Sequence, residues 1–258
     1  MKDKFTTAIL ISTYNSPSFL RLCLESVAGQ RVMPDEILIA DDGSGPETRE
    51  VVNEFVSRVP VPVRHIWHED DGFRLGAIRN KAIAAAVSDY IVQIDGDIIL
   101  HPEFIFDHIR FARRGSFVTG SRKLLDERQT SELLDGKDFG ALFRKSPLRF
   151  YPLTLALQGM RSNDGTYVRG CHMAFWRSDL LAVNGYNELI KGWGREDSEL
   201  SWRLINFGLK KRFLKFGALE FHLYHPENSR AQDDRNIAIM EHARTSGITR
   251  IPDGITKE

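Results

Sequence analysis

YIVQIDGDIILHP, residues 90–102, is the segment from which the fold can be worked out. Its first part, YIVQI, has the apolar character of a buried strand, and it stops at Asp95 and Asp97, which flank one glycine. Two carboxylates at the end of a hydrophobic strand are costly unless a cation or a hydrogen-bonding ligand meets them. The segment therefore predicts a buried strand whose end reaches a binding site.

Strand-like and helix-like segments alternate before and after this strand. The strand-like segments are TAILIST, DEILIADDGS, VPVRHIWHE and DYIVQIDGD. The helix-like segments are SPSFLRLCLESVAGQ, PETREVVNEFVSRV, LGAIRNKAIAAAVS and HPEFIFDHIRFARRG, and a late strand-like run, ALEFHLYHP, precedes a polar helix. Such alternation predicts an α/β fold, in which a mostly parallel, Rossmann-like sheet is flanked by helices on both faces.

The composition excludes several classes of protein. The chain has 258 residues, 42% of them hydrophobic, and its formal net charge is zero. We therefore expect a proper core and no nucleic-acid partner. Cys23 and Cys171 lack metal-site spacing, which indicates thiols in a reducing compartment. Since no stretch reaches the ~20 apolar residues that span a bilayer, we expect one continuous, soluble, cytoplasmic unit.

Polar groups end three of the first four strands. These strand ends read STYN, DDGS and DGD, and ligands of open parallel sheets bind beyond the carboxyl ends of the strands. Each Asp-Gly pair alone is also typical of a simple turn. Together they gather carboxylates at one edge, where Asp95 and Asp97 suit a divalent ion such as Mn²⁺ or Mg²⁺ that would neutralise a diphosphate.

The order of these motifs resembles a known family. STYN, DDGS, RNKA and DGD follow one another as in family-two glycosyltransferases of the GT-A, or nucleotide-diphospho-sugar transferase, fold. GWGREDSE resembles the acceptor-side motif of β-1,4-galactosyltransferases and bacterial chondroitin-polymerase-like enzymes, and HLYHP follows where such enzymes place a metal-binding histidine. The resemblance implies one domain over 1–258, with a nucleotide-sugar half at 1–121 and an acceptor-binding and catalytic half at 122–258.

The resemblance also assigns the donor site. The residues expected to line the nucleotide pocket are Thr13, Tyr14 and Asn15. Asp41 or Asp42 is expected to accept a hydrogen bond from uracil, unless the DDGS segment is only a turn that caps a helix. Arg79 is expected near the diphosphate, where a guanidinium fits phosphate oxygens; the alternative is an ordinary surface arginine.

A metal site and a catalytic pair follow in the same way. Asp97 is the implied metal ligand and Asp95 a contact to ribose or to metal-bound water, with His225 completing the metal shell and His222 also within reach. Histidine beside carboxylates fits Mn²⁺ somewhat better than Mg²⁺; the alternative is that the histidines are structural. The implied roles on the acceptor side are as follows: Asp197 the catalytic base, Glu196 the group that holds the acceptor, and Trp193 the surface that packs on a sugar.

Two further segments have open interpretations. The turn Asp71–Phe73 is expected to shape the donor pocket. The basic and aromatic stretch Phe143–Leu155 is either a loop that contacts the acceptor or the membrane surface, giving peripheral association, or a solvated connection.

The predicted function is that of an inverting, metal-dependent glycosyltransferase. It would move a hexose or N-acetylhexosamine from a UDP-sugar to a hydroxyl of a glycan or lipid-linked glycan, in the synthesis of a cell-surface polysaccharide or lipopolysaccharide. One alternative is a sugar-phosphate nucleotidyltransferase, although STYNSPSF lacks the glycine-rich basic loop with which such enzymes normally hold a triphosphate. A non-catalytic carbohydrate-binding module of the same fold is the other.

Overall fold

The computed structural model describes residues 4–144, 149–226 and 233–257. Within them the strands are β1 (Thr7–Thr13), β2 (Glu36–Asp41), β3 (Val63–Trp67), β4 (Tyr90–Asp95), β5 (Ile98–Leu100), β6 (Ser116–Gly120), β7 (Arg122–Leu124), β8 (Met173–Trp176), β9 (Lys210–Leu214) and β10 (Glu220–His222). The helices are α1 (Pro17–Ala28), α2 (Pro46–Val56), α3 (Leu75–Ala85), α4 (Phe104–Phe111), α5 (Glu127–Leu134), α6 (Gly140–Arg144), α7 (Tyr151–Leu157), α8 (Arg177–Ala182), α9 (Glu196–Asn206) and α10 (Asp233–Ser246).

The central sheet has seven strands in the order β3-β2-β1-β4-β8-β6-β9. Strands β1 to β4 pair in parallel, as the alternation of helices and strands predicts. Strand β8 enters antiparallel between β4 and β6, whereas β6 and β9 are parallel. The sheet is therefore mostly parallel with one reversed strand, which confirms the predicted class.

Both faces of the central sheet are buried. Successive residues of β1 alternate between two core clusters, with Ile9 and Ile11 in one and Ala8 and Leu10 in the other. This alternation is the two-residue period of a strand covered on both sides. Helices α1 and α2 contribute to the first cluster and α3 and α9 to the second, so helices lie on both faces.

A second, three-stranded sheet has the order β5-β10-β7. Strand β10 pairs antiparallel with β5 and parallel with β7. The late run ALEFHLYHP was expected to be one long strand, but only Glu220–His222 is extended in this way, and it does not join the central sheet. Because β5 begins directly after Asp97, this short pairing brings the last third of the chain to the end of β4.

The structure describes only part of the stretch Phe143–Leu155. Helix α6 ends at Arg144 and α7 begins at Tyr151, while residues 145–148 of this stretch lie outside the described residues. The prediction of an acceptor or membrane loop there stays a prediction. In the part of the chain that the structure describes, no helix is both long and apolar enough to cross a bilayer.

Candidate active site

The polar ends of three strands meet at one edge of the central sheet. Ser12 of β1 pairs with Asp95 of β4, and Thr13 pairs with Asp41 of β2. The motifs STYN, DDGS and DGD therefore lie side by side, as the sequence predicts. The side chains of these motifs differ, however, because some are buried and hydrogen-bonded to other residues of the chain, whereas others are accessible to solvent.

Asp97, His222 and His225 form a group that could hold a metal ion. One ligand atom from each lies within 4.8 Å of the other two, and no other such group occurs in the described residues. Nε2 of His225 is 3.1 Å and Nε2 of His222 is 3.5 Å from Oδ2 of Asp97.

The surroundings of this metal triad, Asp97–His222–His225, fit a divalent cation. Nδ1 of His222 lies 2.8 Å from the carbonyl oxygen of Leu223, and Nδ1 of His225 lies equally close to that of Pro226. These contacts turn both Nε2 atoms toward Asp97, as the outer partners of metal-binding histidines do. Oδ1 of Asp97 is buried without a hydrogen-bond partner in the described residues. One carboxylate and two imidazoles are a donor set that suits Mn²⁺.

Asp95 stands apart from the triad. Its Oδ1 accepts a hydrogen bond from Nη2 of Arg79 at 2.8 Å. Arg79 therefore holds one oxygen of this carboxylate, and the expectation that Asp95 ligates the metal stays a prediction. The other expected role, contact to ribose or to metal-bound water, stays a prediction.

Arg79 is neither a surface arginine nor an open phosphate contact. Its side chain is 0% exposed. Nε donates to Oγ of Ser12 at 3.0 Å, and Nη1 lies 3.4 Å from Oε1 of Glu196. Together with the bond to Asp95, these contacts join helix α3 to β1, β4 and α9. A guanidinium without exposed surface cannot reach a diphosphate, so Arg79 instead positions the two carboxylates around it.

The residues at the end of β1 differ in exposure, since Thr13 is buried whereas Tyr14 and Asn15 are exposed. Tyr14 is exposed, and its hydroxyl donates to Oδ2 of Asp70 at 2.9 Å. Oδ1 of Asn15 accepts from the backbone N–H of Gly45, which ties this loop to the turn after β2. Oγ1 of Thr13 is buried and has no partner in the described part of the chain. That these residues line a nucleotide pocket stays a prediction.

The two aspartates of DDGS are buried and already bound. Oδ2 of Asp41 lies 2.8 Å from Nε2 of His65, and Oδ1 of Asp42 lies 2.6 Å from Nε2 of His68. The backbone N–H of Arg74 donates to Oδ2 of Asp42, and burial raises the pKa of this carboxyl. In the expected contact with uracil, the ring would have to share these acceptors or displace a protein donor.

The turn of DDGS also explains its glycine. Gly43 has a φ of +101°, and a Cβ there would lie 2.6 Å from Cα of Asp70. The loop after β3 therefore packs directly on the DDGS turn. Asp70 holds Tyr14, whereas Asp71 is exposed and pairs with Arg74 at 3.5 Å. The expectation that the turn Asp71–Phe73 shapes the donor pocket stays a prediction.

Sequence reasoning also missed His65 and His68. Both contact the DDGS aspartates from β3 or just after it. Their spacing of three residues at the end of a strand beside DDGS was the available signal.

The GWGRED segment enters helix α9 through backbone in the left-handed region, which glycine adopts without strain. Gly192, Gly194 and Arg195 have φ values of +71°, +103° and +77°. Arg195 forms an ion pair with Asp233, its Nε lying 2.8 Å from Oδ1. Trp193 is 40% exposed, and its packing on a sugar stays a prediction.

Glu196 and Asp197 begin helix α9, where the helix dipole favours negative charge. Oδ2 of Asp197 accepts from the backbone N–H of Gly170 at 2.9 Å, and its Oδ1 accepts from that of Ser198 at 2.7 Å. The Glu196 side chain is 14% exposed, and its Oε2 is buried without a partner in the described residues. Burial, followed by the charge of Asp197, raises the pKa of Glu196 to about 7. One member of the pair can thus exchange a proton near neutral pH.

Two family models match the chain. The model for glycosyl transferase family 2 matches residues 8–180, and the model for the N-terminal domain of galactosyltransferase matches residues 156–226. The chain therefore belongs to glycosyl transferase family 2. This membership confirms the prediction of a glycosyltransferase domain and favours it over both alternatives, the nucleotidyltransferase and the carbohydrate-binding module.

Characterised relatives include polysaccharide synthases. Chondroitin synthase from Escherichia coli is 25% identical over 264 residues, which cover 90% of this chain and 37% of the relative. Hyaluronan synthase from Pasteurella multocida is 23% identical over 227 residues, which cover 78% of this chain and 23% of the relative. The chain thus spans well under half the length of these relatives.

Solved structures confirm the GT-A fold. TarS 1–349 of S. aureus in complex with UDP-GlcNAc has a TM-score of 0.68 at 15% identity and covers 92% of this chain and 66% of that one. The mannosyltransferase PcManGT from Pyrobaculum calidifontis, in complex with GDP-Man and Mn²⁺, has a TM-score of 0.61 at 15% identity and covers 86% and 57%.

Proposed function

We propose that this domain is an inverting, metal-dependent transferase that moves a hexose or N-acetylhexosamine from a UDP-sugar to a hydroxyl of a glycan or lipid-linked glycan. The observation that carries the proposal is the metal triad at the end of β4, close to a second acidic group at the start of α9. Arg79 contacts both Asp95 and Glu196, and so links the two halves of the site. The polysaccharide-synthase relatives support a role in making a cell-surface polysaccharide or lipopolysaccharide.

The donor half is proposed at residues 1–121. The accessible Tyr14, the neighbouring Asn15 and the DDGS turn would hold the nucleotide. Asp97, His222 and His225 would hold Mn²⁺ or Mg²⁺, which when bound neutralises a diphosphate as it leaves. The UDP-GlcNAc complex of TarS and the Mn²⁺ complex of the mannosyltransferase support this choice of donor and ion.

The chemistry is proposed to use the acidic pair. An acceptor hydroxyl would lose its proton to Asp197, whose carboxylate is fixed by the N–H groups of Gly170 and Ser198. The resulting oxygen attacks the anomeric carbon from the face opposite the diphosphate, so the anomeric centre is inverted. Glu196, with a pKa of about 7, would hold a second acceptor hydroxyl, either as donor or as acceptor of a hydrogen bond.

The acceptor half is proposed at residues 122–258. Trp193 would pack on a sugar ring beside the catalytic pair. A cavity of about 290 Å³ lies between helix α3 and the segment before the GWG loop, and its lining combines Asp71 and Arg74 of the first half with Glu188 and Lys191 of the second. Its charged groups can bond hydroxyls, and its size accepts a sugar unit, which supports a glycan acceptor on this side.

Calorimetric titration of UDP with and without Mn²⁺ tests the proposal. We expect UDP to bind the wild-type domain in Mn²⁺ and to bind far more weakly after chelation. Asp97→Asn should lose most of this difference, whereas the exposed Asp135→Asn serves as a control of equal charge change. Equal UDP affinity of the wild-type protein in Mn²⁺ and in chelator would refute the metal-dependent function.

A further inference from the structure

Arg122 lies beside the metal triad on the small sheet. It is the first residue of β7, and in the parallel pairing of β7 with β10 it is the partner of Glu220. Residues two apart on a strand share a face, so His222 lies on the same side of β10 as Glu220. Nη1 of Arg122 is 3.3 Å and Oε1 of Glu220 is 3.6 Å from Sγ of Cys171, which confirms that Arg122 and Glu220 point to the same side.

The Arg122 guanidinium has no carboxylate partner. Among the described residues, no carboxylate oxygen lies within the 4.0 Å of an ion pair, and its hydrogen bond goes to the Cys171 sulfur. A thiol sulfur is a weak acceptor. Glu220, the nearest acid along the strand pairing, faces Nδ1 of His172 at 3.3 Å instead. Arg122 is exposed, so its donors can meet a ligand.

A cationic side chain beside the metal triad would stabilise the charge of a departing diphosphate. A diphosphate gains negative charge as its bond to the sugar breaks, and fixed cations at that point stabilise the leaving group. Arg79 cannot supply this charge because it is buried and bound to Asp95 and Glu196. Arg122 is near enough to supply it, because its strand partner Glu220 is only two residues from His222 on β10.

We propose that Arg122 binds the diphosphate of the donor, leaving Cys171 and donating to oxygens of the phosphate that departs with the nucleotide. The inference rests on the proposed function and names the side chain that shares the leaving group with the metal triad. A phosphate oxygen is a far stronger acceptor than a thiol, so the exchange of partners is downhill. The electron pair of the breaking bond stays on the phosphate oxygen, where the guanidinium meets it.

The test compares Arg122→Met, Arg122→Lys and Cys171→Ala by calorimetry in Mn²⁺. Loss of a charge-assisted bond predicts roughly 10- to 100-fold weaker UDP binding for Arg122→Met. Uridine, which lacks phosphate, should bind this variant as it binds the wild type. Arg122→Lys should recover part of the loss, because it keeps a point charge. Arg128→Met, at an exposed helix arginine, is the control and should change nothing.

Cys171→Ala separates ligand binding from a structural role. We expect this variant to keep wild-type UDP affinity within about twofold, because Cys171 only holds Arg122 in the absence of ligand. If Arg122→Met binds UDP like the wild type, or if Cys171→Ala loses affinity equally, the role of Arg122 is refuted while the proposed function stands. If the wild-type protein binds no UDP in Mn²⁺, both the proposed function and the role of Arg122 are refuted.

Discussion

Replacement of Arg79 by methionine is the sharpest test of how the two halves of the site are held together. The guanidinium is fully buried and contacts Ser12, Asp95 and Glu196. Methionine replaces the aliphatic part of the side chain but removes the charge and all donors. Asp95 and Glu196 would then face each other's charge without a cation between them.

The expected loss of stability is large. Removing one partner of a buried ion pair costs about 3–5 kcal/mol. For a domain of this size, about 2 °C of melting temperature corresponds to each kcal/mol. The variant should therefore melt at least about 6 °C below the wild type at pH 8. The exposed pair Arg21–Glu54 provides a matched control, since Arg21→Met should cost about 1 kcal/mol or less.

The loss should also depend on pH. Without the guanidinium, the pKa of Glu196 rises above its value of about 7, and that of Asp95, already raised by burial, rises further. A carboxyl with a raised pKa binds protons more tightly in the folded state. The stability deficit of Arg79→Met relative to the wild type therefore grows as pH rises from the wild-type pKa of each carboxyl toward its higher pKa in the variant, and it shrinks at lower pH.

Scanning fluorimetry at pH 5.5 and pH 8 measures this difference. The gap between Arg79→Met and wild type should be clearly wider at pH 8, while Arg21→Met should show a small and constant gap. Similar shifts for the two variants, or a gap for Arg79→Met that does not change with pH, would refute the reasoning.

Two further predictions concern the acidic pair and the DDGS turn. The kcat/KM for sugar transfer should fall by about tenfold in total below pH 7, because Glu196 takes up a proton at about that pH and its contact to the acceptor hydroxyl then loses its charge; a profile that stays flat down to pH 5.5 would contradict this. Gly43→Ala should lower both the melting temperature and the UDP affinity, because its Cβ would press on Asp70. Gly136→Ala, with a similar φ but open space, is the control, and equal effects of the two would count against packing as the cause.

The strands that position the site could be predicted from the sequence. Apolar runs mark β1, β2 and β4, and the parallel arrangement follows from the helices between them. Once these strands are neighbours, Ser12, Asp41 and Asp95 must meet at one edge. The resemblance to the family adds His222 and His225, and the structure brings both to Asp97.

The sequence could not reveal which of these side chains are buried and bound to other residues. Arginine is almost never fully buried unless it is paired, so Arg79 was expected to be accessible. Its burial depends on Glu196, which is 117 residues away along the chain. The antiparallel entry of β8 was equally hidden, because an apolar run such as MAFW carries no information on strand direction.

The three-residue pairing of β5 with β10 would make the proposed metal binding depend on a segment that is synthesised late. Asp97 leaves the ribosome long before His222 and His225, and it has no nitrogen donors beside it until β10 docks. Nascent or C-terminally clipped polypeptides should thus capture manganese poorly and leave sugar nucleotides intact.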